Sequence, residues 1–143
     1  MYKFSKRIFD IASSFIACVI LAPILLPLAI ILRLTSEGDI FYLQERLGLY
    51  KKSFMIYKFA TMLRNSAKMK GGYITVKDDP RFTLMGGFLR KSKINELPQL
   101  INILIGNMSV VGPRPVMKVS FESYPLEIQE VIYNVKPGLT GIG

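Results

Sequence analysis

Histidine is absent from this 143-residue chain and cysteine occurs once, which excludes histidine triads, histidine metal sites, disulfide frameworks and cysteine zinc clusters. Any acid, base or nucleophile must therefore come from carboxylates, lysines, tyrosines, hydroxyls or the Cys18 thiol, and Cys18 lies inside an apolar run. Acidic residues are also scarce: 10 Asp and Glu face 19 Lys and Arg, a net charge of +9. That imbalance points to an anionic partner such as phospholipid head groups, nucleotide phosphates or nucleic acid. No internal repeat, low-complexity tract or linker divides the sequence, and its length suits one domain with a modest core. Apolar side chains are abundant, half of all residues, and the excess sits near the N-terminus.

Ile11 to Leu32 is an uncharged stretch of 22 residues. As a helix it would run about 33 Å at ~1.5 Å per residue, enough for a bilayer core of ~30 Å. Pro23 and Pro27 interrupt it, each deleting a helical hydrogen bond, so a break is expected near Ala22-Pro23. Lys3, Lys6 and Arg7 precede the stretch, while Arg33, Arg46, Lys51 and Lys52 follow it. Both flanks thus carry the cytoplasmic signature, which a re-entrant hairpin satisfies and a straight span does not. A signal peptide fails on length and on the lack of a small-residue cleavage site.

Beyond a turn at Ser36-Glu37-Gly38, Asp39 to Gln44 and Ser53 to Phe59 read as strands of a hairpin, joined through Gly48 and Lys51-Lys52. Ala60 to Gly72, ending in Gly71-Gly72, reads as a loop or frayed helix, and Asp78-Asp79-Pro80 as a turn. Leu97, Leu100, Ile101 and Leu104 recur at helical spacing, with Asn95 as N-cap, Pro98 in the first turn and Gly106 as the stop. A short strand at Val110-Val111 leads into Gly112-Pro113-Arg114-Pro115, and Phe121 to Val135 reads as one amphipathic helix. Tyr50, Phe54 and Tyr57 beside Lys51, Lys52 and Lys58 suit a membrane surface more economically than single-stranded nucleic acid. Met55, Met62, Met69 and Met85 suit packing better than metal ligation.

Candidate chemistry collects around phosphate. Arg90 lies just ahead of the Asn95-Glu96 helix start, where free N–H groups favour anions. Arg114, between two prolines, would present its guanidinium with little rotational freedom, as bidentate phosphate recognition rewards. Glu96 supplies the oxygen that a Mg²⁺ bridging to phosphates would use. The plainer alternative makes Glu96 a first-turn dipole partner, Arg90 a solvated or lipid-facing charge and Asn95 a helix cap.

Lys58-Phe59, Thr61-Met62, Asp79-Pro80-Arg81, Glu96-Leu97-Pro98-Gln99-Leu100, Met108-Ser109, Gly112-Pro113-Arg114-Pro115 and Pro137-Gly138-Leu139-Thr140-Gly141 occur in that order. In this set, together with Lys6-Arg7, Asp10 and Gln44, Arg46 and Gly48, the chain resembles the bacterial sugar transferases, monotopic polyprenyl-phosphate phosphoglycosyl transferases. The resemblance covers almost the whole sequence. It implies transfer of a sugar 1-phosphate from a nucleotide diphosphate sugar to polyprenyl phosphate, the initiating step of surface glycan assembly. It further implies an adjacent Asp-Glu pair in which the Asp attacks phosphorus and the Glu helps hold Mg²⁺, two easier displacements replacing one difficult one.

The position matching that nucleophile is Asn95, with Glu96 retained. Three explanations follow: Glu96 attacks, Asn95 orients a direct transfer between substrates, or the chain is an inactive scaffold or pseudoenzyme of the same fold. Ala60, Lys51 and Asn107 also stand where the family commonly has Arg, Gly and Asp, and the family usually continues further, which implies a C-terminally truncated chain.

The expected fold is α+β and mainly helical: a re-entrant membrane helix hairpin over 1–35, then one integrated catalytic region over 36–143 with a small β-hairpin and interfacial amphipathic helices. It would lie on the cytoplasmic face of the bacterial inner membrane, because a polyprenyl phosphate keeps its tail in lipid. Glu96 and Asn95 form the expected reaction centre, Glu96 the Mg²⁺ ligand, Arg90 and Arg114 the phosphate binders, and Asp79 and Arg81 the nucleotide-end or supporting residues. The expected partners are nucleotide diphosphate sugar, polyprenyl phosphate and membrane lipids, without nucleic acid; a homo-oligomer is left open.

Overall fold

The computed structural model describes residues 2–35, 37–69 and 79–141. It is a mixed helical and small-sheet fold. In chain order the elements are α1 (Tyr2–Thr35), β1 (Phe41–Leu47), β2 (Ser53–Phe59), α2 (Gly86–Lys91), α3 (Gln99–Ile105), β3 (Ser109–Val111), α4 (Lys118–Glu122), α5 (Leu126–Val131) and β4 (Gly138–Thr140). Short 3-10 turns add Leu49–Lys51, Ser66–Lys68 and Ile94–Glu96. The chain forms two compact units, each from separate segments of sequence: the first comprises Met1–Ile20, Leu43–Tyr57 and Gln99–Gly143, the second Leu21–Tyr42 and Lys58–Pro98.

Helix α1 carries the apolar run as one assigned helix, continuing through Pro23 and Pro27 where the sequence predicts a break. The prolines remove the bonds that residues 23 and 27 would donate to the carbonyls of Val19 and Pro23. Only 11% of its most apolar stretch is buried, which separates it from a core helix. Ile16, Val19, Ile20, Ile24 and Ile30 are all exposed. Such a surface is costly in water and suits hydrocarbon.

In the second unit Leu28 and Leu32 of α1 pack with Phe59 and Leu89, flanked by Leu25, Ala29, Ile40, Met85 and Ile94. In the first unit Leu47, Phe121 and Tyr133 form the core, flanked by Val116, Tyr124 and Ile132. Asn102 there is fully buried because it works as a bracket. Its Oδ1 accepts the Tyr57 N–H at 2.9 Å, its Nδ2 donates to the Met55 carbonyl at 2.8 Å, and β2 is thereby fixed to α3. At the far end of α1's polar N-terminal turns, Arg7 donates to the carbonyls of Ile103 and Leu104 at 2.5 and 2.7 Å. A cation placed there also meets the negative end of α3.

The hairpin of β1 and β2 forms as expected, with β2 in its expected place and β1 displaced to Phe41–Leu47. Glu45 and Arg46 stay in the strand, and the Leu47 N–H continues by donating to the Val116 carbonyl at 3.0 Å. Tyr50 and Lys51 take left-handed backbone at the tip. The helix expected from Glu96 begins later, at Gln99. Pro98 has no N–H for the Ile94 carbonyl, so 3-10 bonds from Glu96 to Lys93 and from Leu97 to Ile94 take over. Asn95 consequently sits inside the 3-10 turn and caps nothing. The single helix expected over Phe121 to Val135 is two, α4 and α5, because Pro125 takes an extended conformation between them. Strand β3 pairs in parallel with β4, Ser109 opposite Gly138 and Val111 opposite Thr140. Ser36, Gly71-Gly72 and Asp78 lie outside the described residues.

Candidate active site

Five of the six residues singled out from the sequence, Asp79, Arg81, Arg90, Asn95 and Glu96, belong to the second unit. Their support begins at Gly86, which opens α2 hard against the chain at Thr61. A Cβ on Gly86 would lie 2.0 Å from the Thr61 carbonyl oxygen, so only glycine allows this approach. Thr83 donates its N–H to the same carbonyl at 3.1 Å, and Met62 and Phe82 form an isolated antiparallel bridge. Phe82 then serves as a platform: the Arg90 guanidinium stands over its ring at 5.6 Å from the centroid.

Arg90 is the electrostatic centre of this unit. Burial pulls its guanidinium below the usual range; Asp79, Glu96 and Tyr42 oppose that shift, and Arg81 reinforces it. A half-buried guanidinium gains from an incoming phosphate, which would offset the cost of keeping its charge from water, and Arg81 adds to that attraction while Asp79 and Glu96 oppose it. Lys58 from the end of β2 adds a further cation, its Nζ 3.5 Å from Glu96 Oε1. At that length the pair is loose and easily opened by a ligand.

Asp79 and Arg81 face each other instead of the solvent. Arg81 Nε and Nη2 reach Asp79 Oδ1 and Oδ2 at 2.8 and 2.6 Å, and Nη1 donates to the Ser66 carbonyl at 2.9 Å. Both side chains are buried. The fork closes the Asp79-Pro80-Arg81 turn on itself and the Nη1 bond ties that turn to Ser66, an arrangement that suits support more than direct contact with a nucleotide.

Asn95 and Glu96 differ in access. Asn95 is 7% exposed, and its buried Oδ1 has no hydrogen-bond partner among the described residues. The Glu96 side chain retains 20% of its surface. A buried acceptor without a donor costs stability unless something binds it. The described residues hold no cluster of three His, Cys, Asp or Glu. Glu96 and Asn95 Oδ1 are the oxygen donors this turn would offer a cation, whose other ligands would come from phosphate and water.

Arg114 belongs to the first unit, on the exposed segment after β3. The backbone beneath it is tightly packed: a Cβ on Gly138 would lie 2.1 Å from the Gly112 nitrogen, and the Gly138 N–H donates to the Pro113 carbonyl at 2.9 Å. The Tyr133 hydroxyl donates to the Arg114 carbonyl at 2.8 Å and accepts the Val116 N–H at 3.0 Å. Lys58, Tyr42, Phe82 and Tyr133 were not singled out as site residues from sequence. Of these, Lys58 alone has a sequence signal, in the Lys58-Phe59 pair shared with the family.

The family model described as bacterial sugar transferase matches residues 1–143. The exopolysaccharide production protein PSS of Rhizobium leguminosarum bv. phaseoli is 39% identical, with 96% of this chain and 71% of the relative covered. An Aeromonas hydrophila UDP-N-acetylgalactosamine-undecaprenyl-phosphate N-acetylgalactosaminephosphotransferase is 38% identical, covering 99% of this chain and 34% of the relative. A Klebsiella pneumoniae UDP-glucose:undecaprenyl-phosphate glucose-1-phosphate transferase is 39% identical, covering 96% and 30%. The chain therefore spans most of the first relative and about a third of the other two.

Proposed function

Because this chain belongs to the bacterial sugar transferase family, we infer that it transfers a sugar 1-phosphate from a nucleotide diphosphate sugar to polyprenyl phosphate, initiating surface glycan assembly. The observation that carries this reading to particular residues is the gathering of Arg90, Lys58 and Glu96 around the buried Asn95 turn.

Phosphoryl transfer asks a protein chiefly for positioning and for charge to offset the phosphate oxygens. Arg90 and Lys58 supply that charge in the second unit, and Arg114 is the phosphate-binding arginine of the first. Glu96 is the ionisable member of the Asn95-Glu96 pair and the more accessible one, so its carboxylate attacks the sugar-bearing phosphorus and expels nucleoside monophosphate. The acceptor phosphate oxygen then attacks the same phosphorus, forming the lipid diphosphate and releasing the carboxylate. Donor binding draws Lys58 from Glu96 towards phosphate and frees the attacking oxygen. Asn95 Oδ1 and the other Glu96 oxygen would hold Mg²⁺, which when bound offsets phosphate charge.

In the membrane the apolar helix would bend at its two proline gaps and act as a re-entrant element on the cytoplasmic face, both ends returning to the same side. Basic residues on both flanks and two proline gaps four residues apart support this placement. Intact-mass measurement with donor and Mg²⁺ but no acceptor tests the chemistry. A phosphosugar adduct mapped to Glu96 is the expected result; turnover without any adduct would replace covalent attack by direct transfer.

A further inference from the structure

The first unit contains a cationic cluster at the base of α1 that the chemistry at Glu96 leaves unused. Lys6, Arg7 and Lys136 gather there around a single acid, Asp10. Asp10 is buried and already engaged by Lys6 at 2.8 Å, by the Ser109 hydroxyl at 3.0 Å and by the Val110 N–H at 3.0 Å. Arg7 is tied to the two α3 carbonyls. Lys136 differs from both: among the described residues its half-buried ammonium has no hydrogen bond and no ion pair.

Its position is fixed by backbone. Lys136 precedes the buried Pro137, whose carbonyl accepts the Ser109 N–H at 2.9 Å. A Cβ on Gly112 would lie 2.3 Å from the Lys136 carbonyl oxygen, so the chain is packed tightly on that side as well. Lys136 Nζ and Arg7 Nη2 stand 3.7 and 3.3 Å from the point where a Gly106 Cβ would lie. The two cations are therefore at most about 7 Å apart, where like charges repel. Burial and then Arg7 pull the Lys136 ammonium below its usual range; Asp10 opposes and Lys6 reinforces. An anion between them would remove both penalties.

We propose that Lys136 and Arg7 together bind the phosphate of a membrane lipid. Arg7 lies four residues before Ile11. That is about 6 Å along the helix from the start of the apolar run, which is head-group depth. Phe4, Ile8 and Phe9 are exposed on the same turns. Each Arg7 Nη keeps a second N–H beyond the one it gives to α3, and an ammonium beside them suits the oxygens of a phosphodiester or a phosphomonoester, so an anionic phospholipid and polyprenyl phosphate share the required chemistry. This inference rests on the membrane attachment proposed above.

Flotation of the wild-type chain with phosphatidylcholine vesicles reads that attachment separately. The site itself is read by titrating phosphatidylglycerol, or polyprenyl phosphate, into the full chain held in neutral detergent. Lys136→Gln should weaken one of these lipids at least about fivefold, the effect of one basic residue at a membrane surface. Lys136→Arg should restore binding, and Lys118→Gln, at an exposed lysine of α4, should change nothing. The lipid that responds identifies the source of the phosphate. Equal losses in Lys136→Gln and Lys118→Gln, or no loss in either, would overturn the site while leaving attachment standing. A wild type that fails to float would overturn attachment and this inference with it.

Discussion

Replacing Tyr133 by Phe removes one oxygen from the core of the first unit and leaves its shape intact. That oxygen receives the Val116 N–H at 3.0 Å and donates to the Arg114 carbonyl at 2.8 Å, in a residue only 1% exposed. The ring remains stacked on Phe121 at 5.8 Å, so no cavity forms. Two hydrogen bonds at roughly 1 kcal/mol each give a loss of about 2 kcal/mol, or roughly 4–8 °C in Tm for a chain of this size. The same change loosens the segment that presents Arg114, so KM for the nucleotide sugar should rise several-fold with a smaller change in kcat. Burial also raises the Tyr133 phenol above its ordinary pKa, with Tyr124 adding to the shift and the Val116 N–H and Arg46 opposing it. The folded chain therefore holds this proton where the unfolded chain releases it, and stability falls as pH rises above about 10. Tyr133→Phe should remove that alkaline component. Thermal unfolding in detergent at neutral and alkaline pH, beside donor-dependent kinetics, measures all three effects. An unchanged Tm with an unchanged KM would refute the claim that this hydroxyl holds the Arg114 segment.

Gly86→Ala should displace α2, because its Cβ would meet the Thr61 carbonyl at 2.0 Å; overpacking costs of about 1–3 kcal/mol set the minimum, and nucleoside monophosphate release should fall with stability. Arg81→Ala should cost about 3–5 kcal/mol in chemical denaturation, since it leaves the buried Asp79 carboxylate without its fork. A loss below about 1 kcal/mol would mean that Asp79 finds another partner or takes up a proton.

Hydrophobic pattern announces elements in this chain better than it announces their ends, which prolines set, or their distant partners. The apolar run and β2 follow from composition and alternation, and both appear in place. Helical spacing tolerates Pro98 in a first turn opening at Glu96, yet its missing N–H leaves a 3-10 turn carrying Asn95 and Glu96. The amphipathic pattern over Phe121 to Val135 runs through Pro125, whose backbone separates α4 from α5. The parallel pairing of β3 with β4 was not legible, because strands of three residues have no periodicity. Gly112 and Gly138 marked the place, since their backbones touch with no room for a side chain. Within the site, Arg90, Asn95 and Glu96 stood out because they are close in sequence. Lys58 approaches Glu96 from a separation of 38 residues, and no local pattern announces such a pair.

On the proposed mechanism Glu96 provides the reactive carboxylate of a working transferase. Nucleoside monophosphate release by the purified chain in nanodiscs, with nucleotide diphosphate sugars, polyprenyl phosphate and Mg²⁺, tests it most directly beside Glu96→Gln and Asn95→Asp. The wild type should turn over, and Glu96→Gln should lose about 10³-fold or more. A silent wild type whose activity appears only in Asn95→Asp would contradict it.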